Sequence, residues 1–120
     1  TMATPNIVNV ATINPRNSMG ALGNTSRTTM IDVAAESCCK VNTILIANID
    51  GSSAADVTIE VSNDNGSTYY KLASTISVPA DSTLSFLENP IYLDETDLLA
   101  VTAGAANDLS FFCSFEEIID

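Results

Sequence analysis

CKVNTILIANIDGSSAADVTIEVSN, residues 39–63, decides the fold. Its first half, Thr43 to Ala47, is an almost unbroken apolar run rich in β-branched residues, which suits a strand covered on both faces at the centre of a sheet. Its second half alternates. Val57, Ile59 and Val61 share one face and Thr58, Glu60 and Ser62 the other, the pattern of a strand with a core on one side and water on the other. The connector, Asp50-Gly51-Ser52-Ser53-Ala54-Ala55-Asp56, is too small and polar to prolong either strand. It is long enough to cross between two sheets or to close a wide hairpin.

Downstream the same grammar repeats. Asn63-Asp64-Asn65-Gly66 is a turn signal, because Asn and Gly tolerate positive φ. A short strand is expected over Ser67–Ala73, with Tyr69 and Tyr70 on opposite faces, and extended chain over Ser74–Val78 up to the break at Pro79-Ala80-Asp81. Ser82–Leu87, Ile91–Leu93 and Leu98–Ala103 follow as strands, separated by Glu88-Asn89-Pro90 and by the acidic turn Asp94-Glu95-Thr96-Asp97. Leu109–Phe115 closes the series with Leu109, Phe111, Cys113 and Phe115 aligned, and Glu116–Asp120 either extends that strand or hangs free. Upstream, Thr1–Pro5 is expected to be a flexible arm. Asn6–Ile13 alternates as a strand, Asn14–Asn24 reads as a long loop anchored by Met19 and Leu22, and Thr25–Val33 as a strand whose Met30 and Ile31 reach the interior. Eight or so short antiparallel strands with negligible helix indicate an all-β fold: one β-sandwich over residues 6–120, jelly-roll or immunoglobulin-like, with a 1–5 arm.

Bulk properties narrow the function. At 120 residues the chain is one domain, and folding removes roughly two thirds of its unfolded surface from water. Its apolar runs fall short of a membrane-spanning helix and its N-terminus lacks the pattern of a cleaved leader, so a soluble, unprocessed chain is expected. Four basic residues, Arg16, Arg27, Lys40 and Lys71, stand against 15 acidic ones, a net charge of −11. Nucleic acid and anionic membranes are therefore poor partners, since both are held by neutralising negative charge with Lys and Arg. A surface this acidic favours solubility. Cys38, Cys39 and Cys113 are odd in number, and neighbouring strand residues face opposite ways, so reduced thiols and assembly inside a cell are expected.

Catalytic chemistry has little to work with. The chain has no histidine, which removes Ser-His-Asp and Cys-His arrangements and most transition-metal sites. Asp94, Glu95 and Asp97 could supply the carboxylate pair of a glycoside hydrolase, but a sugar ring is usually stacked on an aromatic side chain, and the sequence has no tryptophan and three tyrosines. No enzyme is expected, and no catalytic residue or cofactor is assigned. Calcium is the one weak metal candidate, at Asn63-Asp64-Asn65 or at the 94–97 turn, where oxygen ligands cluster without the EF-hand spacing; hairpin turns using Asx chemistry explain both stretches better. Asn24-Thr25-Ser26 and Asn65-Gly66-Ser67 match the glycosylation pattern as short motifs only.

At Ala47-Asn48-Ile49-Asp50-Gly51, Ala55-Asp56-Val57-Thr58-Ile59, Ser74-Thr75-Ile76-Ser77-Val78-Pro79-Ala80 and Pro90-Ile91-Tyr92-Leu93-Asp94-Glu95-Thr96-Asp97 the chain resembles small β-rich virion structural proteins of tailed bacteriophages, over most of residues 39–120. The resemblance implies a non-enzymatic particle protein assembled in the host cytoplasm, of the capsid decoration or cement type. Such proteins sit outside the shell as trimers or dimers, here with the trimer favoured, and bridge neighbouring major capsid subunits. Neck, tail and fibre components share the architecture, and a carbohydrate-binding sandwich on a tail fibre or host-facing surface, with Tyr69, Tyr70 and the acidic turns as contacts, is a further alternative. For a cement protein the expected capsid contacts are the arm, Thr1, Met2, Thr4 and Pro5, and the 14–24 segment with its flanks, Arg16, Met19, Leu22 and Arg27. Scarce positive charge gathered near one region of an acidic body would orient docking.

Overall fold

The computed structural model describes residues 12–119. The expected arm and all but the end of the Asn6–Ile13 strand lie outside them. Nine strands make up the fold: β1 (Thr12–Leu22), β2 (Thr28–Asp32), β3 (Ser37–Asn48), β4 (Ala55–Ser62), β5 (Tyr70–Val78), β6 (Thr83–Ser85), β7 (Ile91–Leu93), β8 (Leu98–Ala103) and β9 (Leu109–Ile119). No helix occurs among the described residues.

Their pairing is nested. β1 lies antiparallel to β9, β2 to β8, β3 to β6 and β7, and β4 to β5, as in one long hairpin whose tip is the β4–β5 connection. Rolled up, that hairpin also brings β9 against β3 and β8 against β4. Two facing sheets result, β1-β9-β3-β6 with β7 sharing the far edge of β3, and β2-β8-β4-β5. This is the double Greek key of a jelly roll with one strand split in two, and it settles the choice the sequence left between jelly roll and immunoglobulin topologies.

The opening stretch behaves as its composition predicts. β3 is an interior strand of the first sheet, and the 50–56 connector carries the chain across to the second. Val41, Ile44 and Ile46 of β3 meet Val57 and Ile59 of β4 in a core closed by Leu99, Val101, Leu109, Phe111 and Cys113. A bulge between Val41 and Thr43 keeps both halves of β3 facing that core. Asn48 ends the strand as a buried polar junction: its amide donates to the carbonyls of Ser53 and Val78, each at 2.9 Å, and its Oδ1 accepts from the Asp50 amide at 2.8 Å. One side chain thus ties the crossing connector to the end of β5.

Two expectations are corrected. Asn14–Leu22 is not a loop but most of β1, in unbroken register with β9 from Thr12↔Ile119 to Leu22↔Leu109. Pro15 is tolerated because β1 is an edge strand. Turn-forming composition misled there, since Gly20 serves packing: a Cβ on it would stand 3.2 Å from the Phe111 ring. The polar face of β4 is also not simply wet, because Glu60 and Ser62 are buried. Glu116–Ile119 extends β9, and Ser67–Ala73 and Ser74–Val78 resolve into the single strand β5, which begins at Tyr70.

Candidate contact surfaces

The acidic turns are built from their own backbone. In the 94–97 turn the Asp94 amide donates to Asp97 Oδ2 at 2.8 Å, and Glu95 Oε2 accepts from the Glu36 amide at 2.7 Å. In the 63–66 turn Asp64 Oδ1 accepts from the Ser62 hydroxyl and the Thr68 amide, both at 2.8 Å, and these bonds hold its carboxyl below the usual range. Burial raises the Asp97 carboxyl. Among the described residues no group of three or more acidic or cysteine side chains is placed to hold a metal ion, and no pocket is enclosed.

The three thiols are free and buried. Burial pushes Cys39 up to about 12 and Cys113 up to about 11, and raises Cys38 as well. None is poised as a nucleophile.

The expected contact residues separate. Thr1, Met2, Thr4 and Pro5 lie outside the described residues. Arg16 projects from β1 and donates through Nε to Glu117 Oε1 at 3.2 Å. Met19 is 60% exposed on the same strand, whereas Leu22 is 1% exposed and belongs to the core, so its side chain offers nothing to a partner. Arg27 precedes β2, on the opposite sheet, where its guanidinium donates to both oxygens of Glu60, at 3.1 and 3.3 Å. Its charged centre sits 3.8 Å from the centroid of the Tyr69 ring. The hydrogen bond to Glu60 raises the Arg27 value further, fixing the positive charge. The two arginines therefore do not form one basic patch; each is matched to a carboxylate on its own sheet. Glu60 sits in the regular outward register of β4, and nothing in its sequence neighbourhood marks it as the partner of a residue 33 positions away.

Two surfaces carry exposed apolar side chains. One is β5, an edge strand with Tyr70, Leu72 and Ile76 exposed, whose register with β4 is interrupted twice and whose Thr75 takes φ +47°. Such irregularity is a common guard against edge-to-edge pairing. The other is the outward face of the β1-β9-β3 sheet, where Met19, Phe112 and Leu45 stand in one cross-strand row. Phe112 follows from the sequence as the odd member out of the inward Leu109, Phe111, Cys113, Phe115 series.

Searches against protein-family models and curated proteins return no match. Among solved structures, a pentameric capsid protein isolated from metagenomic phage sequences is similar at 19% identity over 88% of this chain and 60% of that one, with a TM-score of 0.39. The structure of infectious bursal disease virus, Gx strain, is similar at 11% identity over 88% of this chain and 33% of that one, with a TM-score of 0.47. The subviral particle of that virus's VP2 gives 11%, 88%, 33% and 0.44. The chain thus spans between a third and three fifths of the length of these structures.

Proposed function

We infer that the chain is a structural protein of a virus particle, acting as a capsid decoration protein that binds the outside of an assembled shell and strengthens contacts between major capsid subunits. The observation that carries this reading is the nested strand order of the jelly roll, an architecture used by capsid proteins, lectins and cupins. Of those three uses, the cupin metal site draws on histidines that the chain lacks. Of the two tyrosines expected as sugar contacts, Tyr69 has a face covered by Arg27 and Tyr70 is left on the β5 edge, outside any enclosed pocket among the described residues. The sequence resemblance to phage virion proteins points the same way. The arm expected from the sequence at residues 1–5 would suit a role in which chain gains contacts by ordering on a neighbour.

Two segments are proposed to reach the shell: residues 1–5 and the exposed side of β1 around Arg16. The test is binding of the purified protein to shells assembled without it, followed by the thermal stability of those shells. Saturable binding at fixed stoichiometry with a gain in stability supports the role. No binding refutes it and directs attention to the tail and neck. Deleting residues 1–5 should leave melting of the free protein unchanged and weaken attachment; undiminished attachment removes the arm from the shell contact.

A further inference from the structure

The charge of this molecule is unevenly spread. Rows across the β1-β9-β3 sheet are fixed by register, and directly opposed residues share a face. The inward rows are Gly20–Phe111–Ile46–Leu84 and its neighbours. The outward rows are Ala21–Ser110–Ala47–Thr83, Met19–Phe112–Leu45–Ser85, Asn17–Ser114–Thr43 and Pro15–Glu116–Lys40–Tyr92. Across these rows the one carboxylate, Glu116, stands directly opposite a lysine, Lys40. The face is therefore neutral, on a chain of net charge −11. The other sheet carries Asp32 and Asp56 in its outward register, and its Glu60 is paired with Arg27 and stands opposite Lys71.

Exposed apolar side chains occur on both sheets, on the second along the irregular β5 edge. Met19 and Tyr92 are among the most exposed large apolar side chains, and both lie on the neutral face. Phe112 and Leu45 beside Met19 are half-buried. From the rise and spacing of strands, a sheet four strand positions wide with 11-residue strands spans roughly 35 by 19 Å, about 650 Å². That is close to the ~800 Å² each partner contributes to a standard interface.

We propose that this face is the contact between two copies of the chain, sheet against sheet across a two-fold axis. Charge selects the occupant. A basic partner would be drawn to the acidic surfaces, whereas a second copy, itself at −11, is repelled everywhere except where both surfaces are neutral. Charge also bears on the geometry, because laying the neutral face on the outer face of the opposite sheet would bury the carboxylates of Asp32 and Asp56. The self-matched, isologous arrangement avoids that cost. The inference deepens the particle reading by naming the surface through which copies associate, and it rests on that reading only for its biological setting.

The test needs no shells, so its failure is separate from failure of the decoration role. Sedimentation velocity and native mass spectrometry of the full chain, from low to high micromolar, should show an even-numbered oligomer. Met19→Glu should weaken association at least about tenfold, and Leu45→Glu likewise, because two-fold symmetry brings each new charge into the interface twice. Met19→Lys should weaken it too, since the altered face meets its own copy. Leu72→Glu on β5 should leave association unchanged. Urea midpoints confirm that each variant is folded. A wild-type chain that stays monomeric, as when its own residues 1–11 occupy the face, overturns the proposal. So does association strengthened by Met19→Lys, or abolished by Leu72→Glu and indifferent to Met19→Glu.

Discussion

Asn48→Asp changes one side-chain nitrogen to oxygen and leaves shape untouched, so its effect isolates the hydrogen bonding of the junction. The amide nitrogen of Asn48 donates to two carbonyls, Ser53 O and Val78 O, in a buried setting. A carboxylate there has no donor and faces two acceptors. Two bonds worth about 1 kcal/mol each are lost, and the new carboxylate oxygen is left without a donor in the interior at a further ~1–3 kcal/mol, giving about 3–5 kcal/mol at pH 7. Against a total of about 5–15 kcal/mol for a domain this is severe. The new carboxyl also acquires a raised value in the folded state, because both neighbours and burial disfavour its charge. The native state therefore holds that proton at pH values where the unfolded chain, near 3.9, has released it. The deficit relative to wild type is smallest below about pH 4 and grows by up to ~1.4 kcal/mol per pH unit until the folded value is passed. Urea unfolding of variant and wild type in matched buffers at pH 4.5 and 7 measures this, with the other carboxylates cancelling in the difference. Asn48→Ala serves as control, losing the two donated bonds and the one accepted from Asp50 for a deficit of about 3 kcal/mol that does not depend on pH. A deficit below about 1 kcal/mol at pH 7, or one equal at both pH values, would refute the assignment of Asn48 as the donor.

Other expectations follow from the same physics. With Cys39 at about 12 and Cys113 at about 11, a thiol reagent at pH 8 should leave both unlabelled in the native protein, the thiolate fraction being ~0.1% or less, and should label all three cysteines in guanidinium; rapid native labelling would contradict their burial. Gly66 takes φ +93° and a Cβ on it would meet Leu98 Cδ1 at 3.3 Å, so Gly66→Ala should cost about 1–2 kcal/mol by urea unfolding, and no loss would argue against this turn conformation. The Asp64 carboxyl is held low by Thr68 and Ser62, so its contribution is present above its unfolded value and lost as pH falls through the folded one. Asp64→Asn should therefore lower the urea midpoint at pH 7, with the difference shrinking as the pH falls into the acid range; a difference that does not shrink in acid would mean the carboxylate is not the cause.

How much of this was legible in the sequence depended on whether local chemistry or distant pairing decided each feature. Alternation at Val57–Val61 and Leu109–Phe115 marked inward faces, and these residues line the core as read. The Asn65-Gly66 turn was equally local. Asn14–Leu22 was not: its proline, asparagines and glycine favour a loop in isolation, and only the Phe111 ring above Gly20 and the β9 ladder beside it make a strand. Leu22 was accordingly taken for a surface anchor when it fills the core. The burial of Glu60 depends on Arg27 and was equally out of reach, since ion pairs between separate strands leave no periodic trace. The neutral outward face was legible in part. Phe112 falls out of the β9 alternation, but its row with Met19 and Leu45 exists only once β1 has been placed beside β9 and β9 beside β3.

The nested strand order has a consequence for how the chain is made. β9, the last strand of the described fold, is not an edge but the interior partner of both β1 and β3. A nascent chain that has released β1 through β8 holds β1 with nowhere to pair, and β3 with its central seam open. The second sheet can assemble once β8 has emerged; the first cannot. The loop closed by the Thr12↔Ile119 pairing spans nearly the whole chain, so its entropic cost is met late, by a single strand entering between two others. Folding should accordingly be slow for a domain of this size, with β9 the last strand to be placed. During that interval the unfilled slot between β1 and β3 would accept β9 of another copy as readily as its own, and dilution or a brief chaperone hold during synthesis would favour the correct closure.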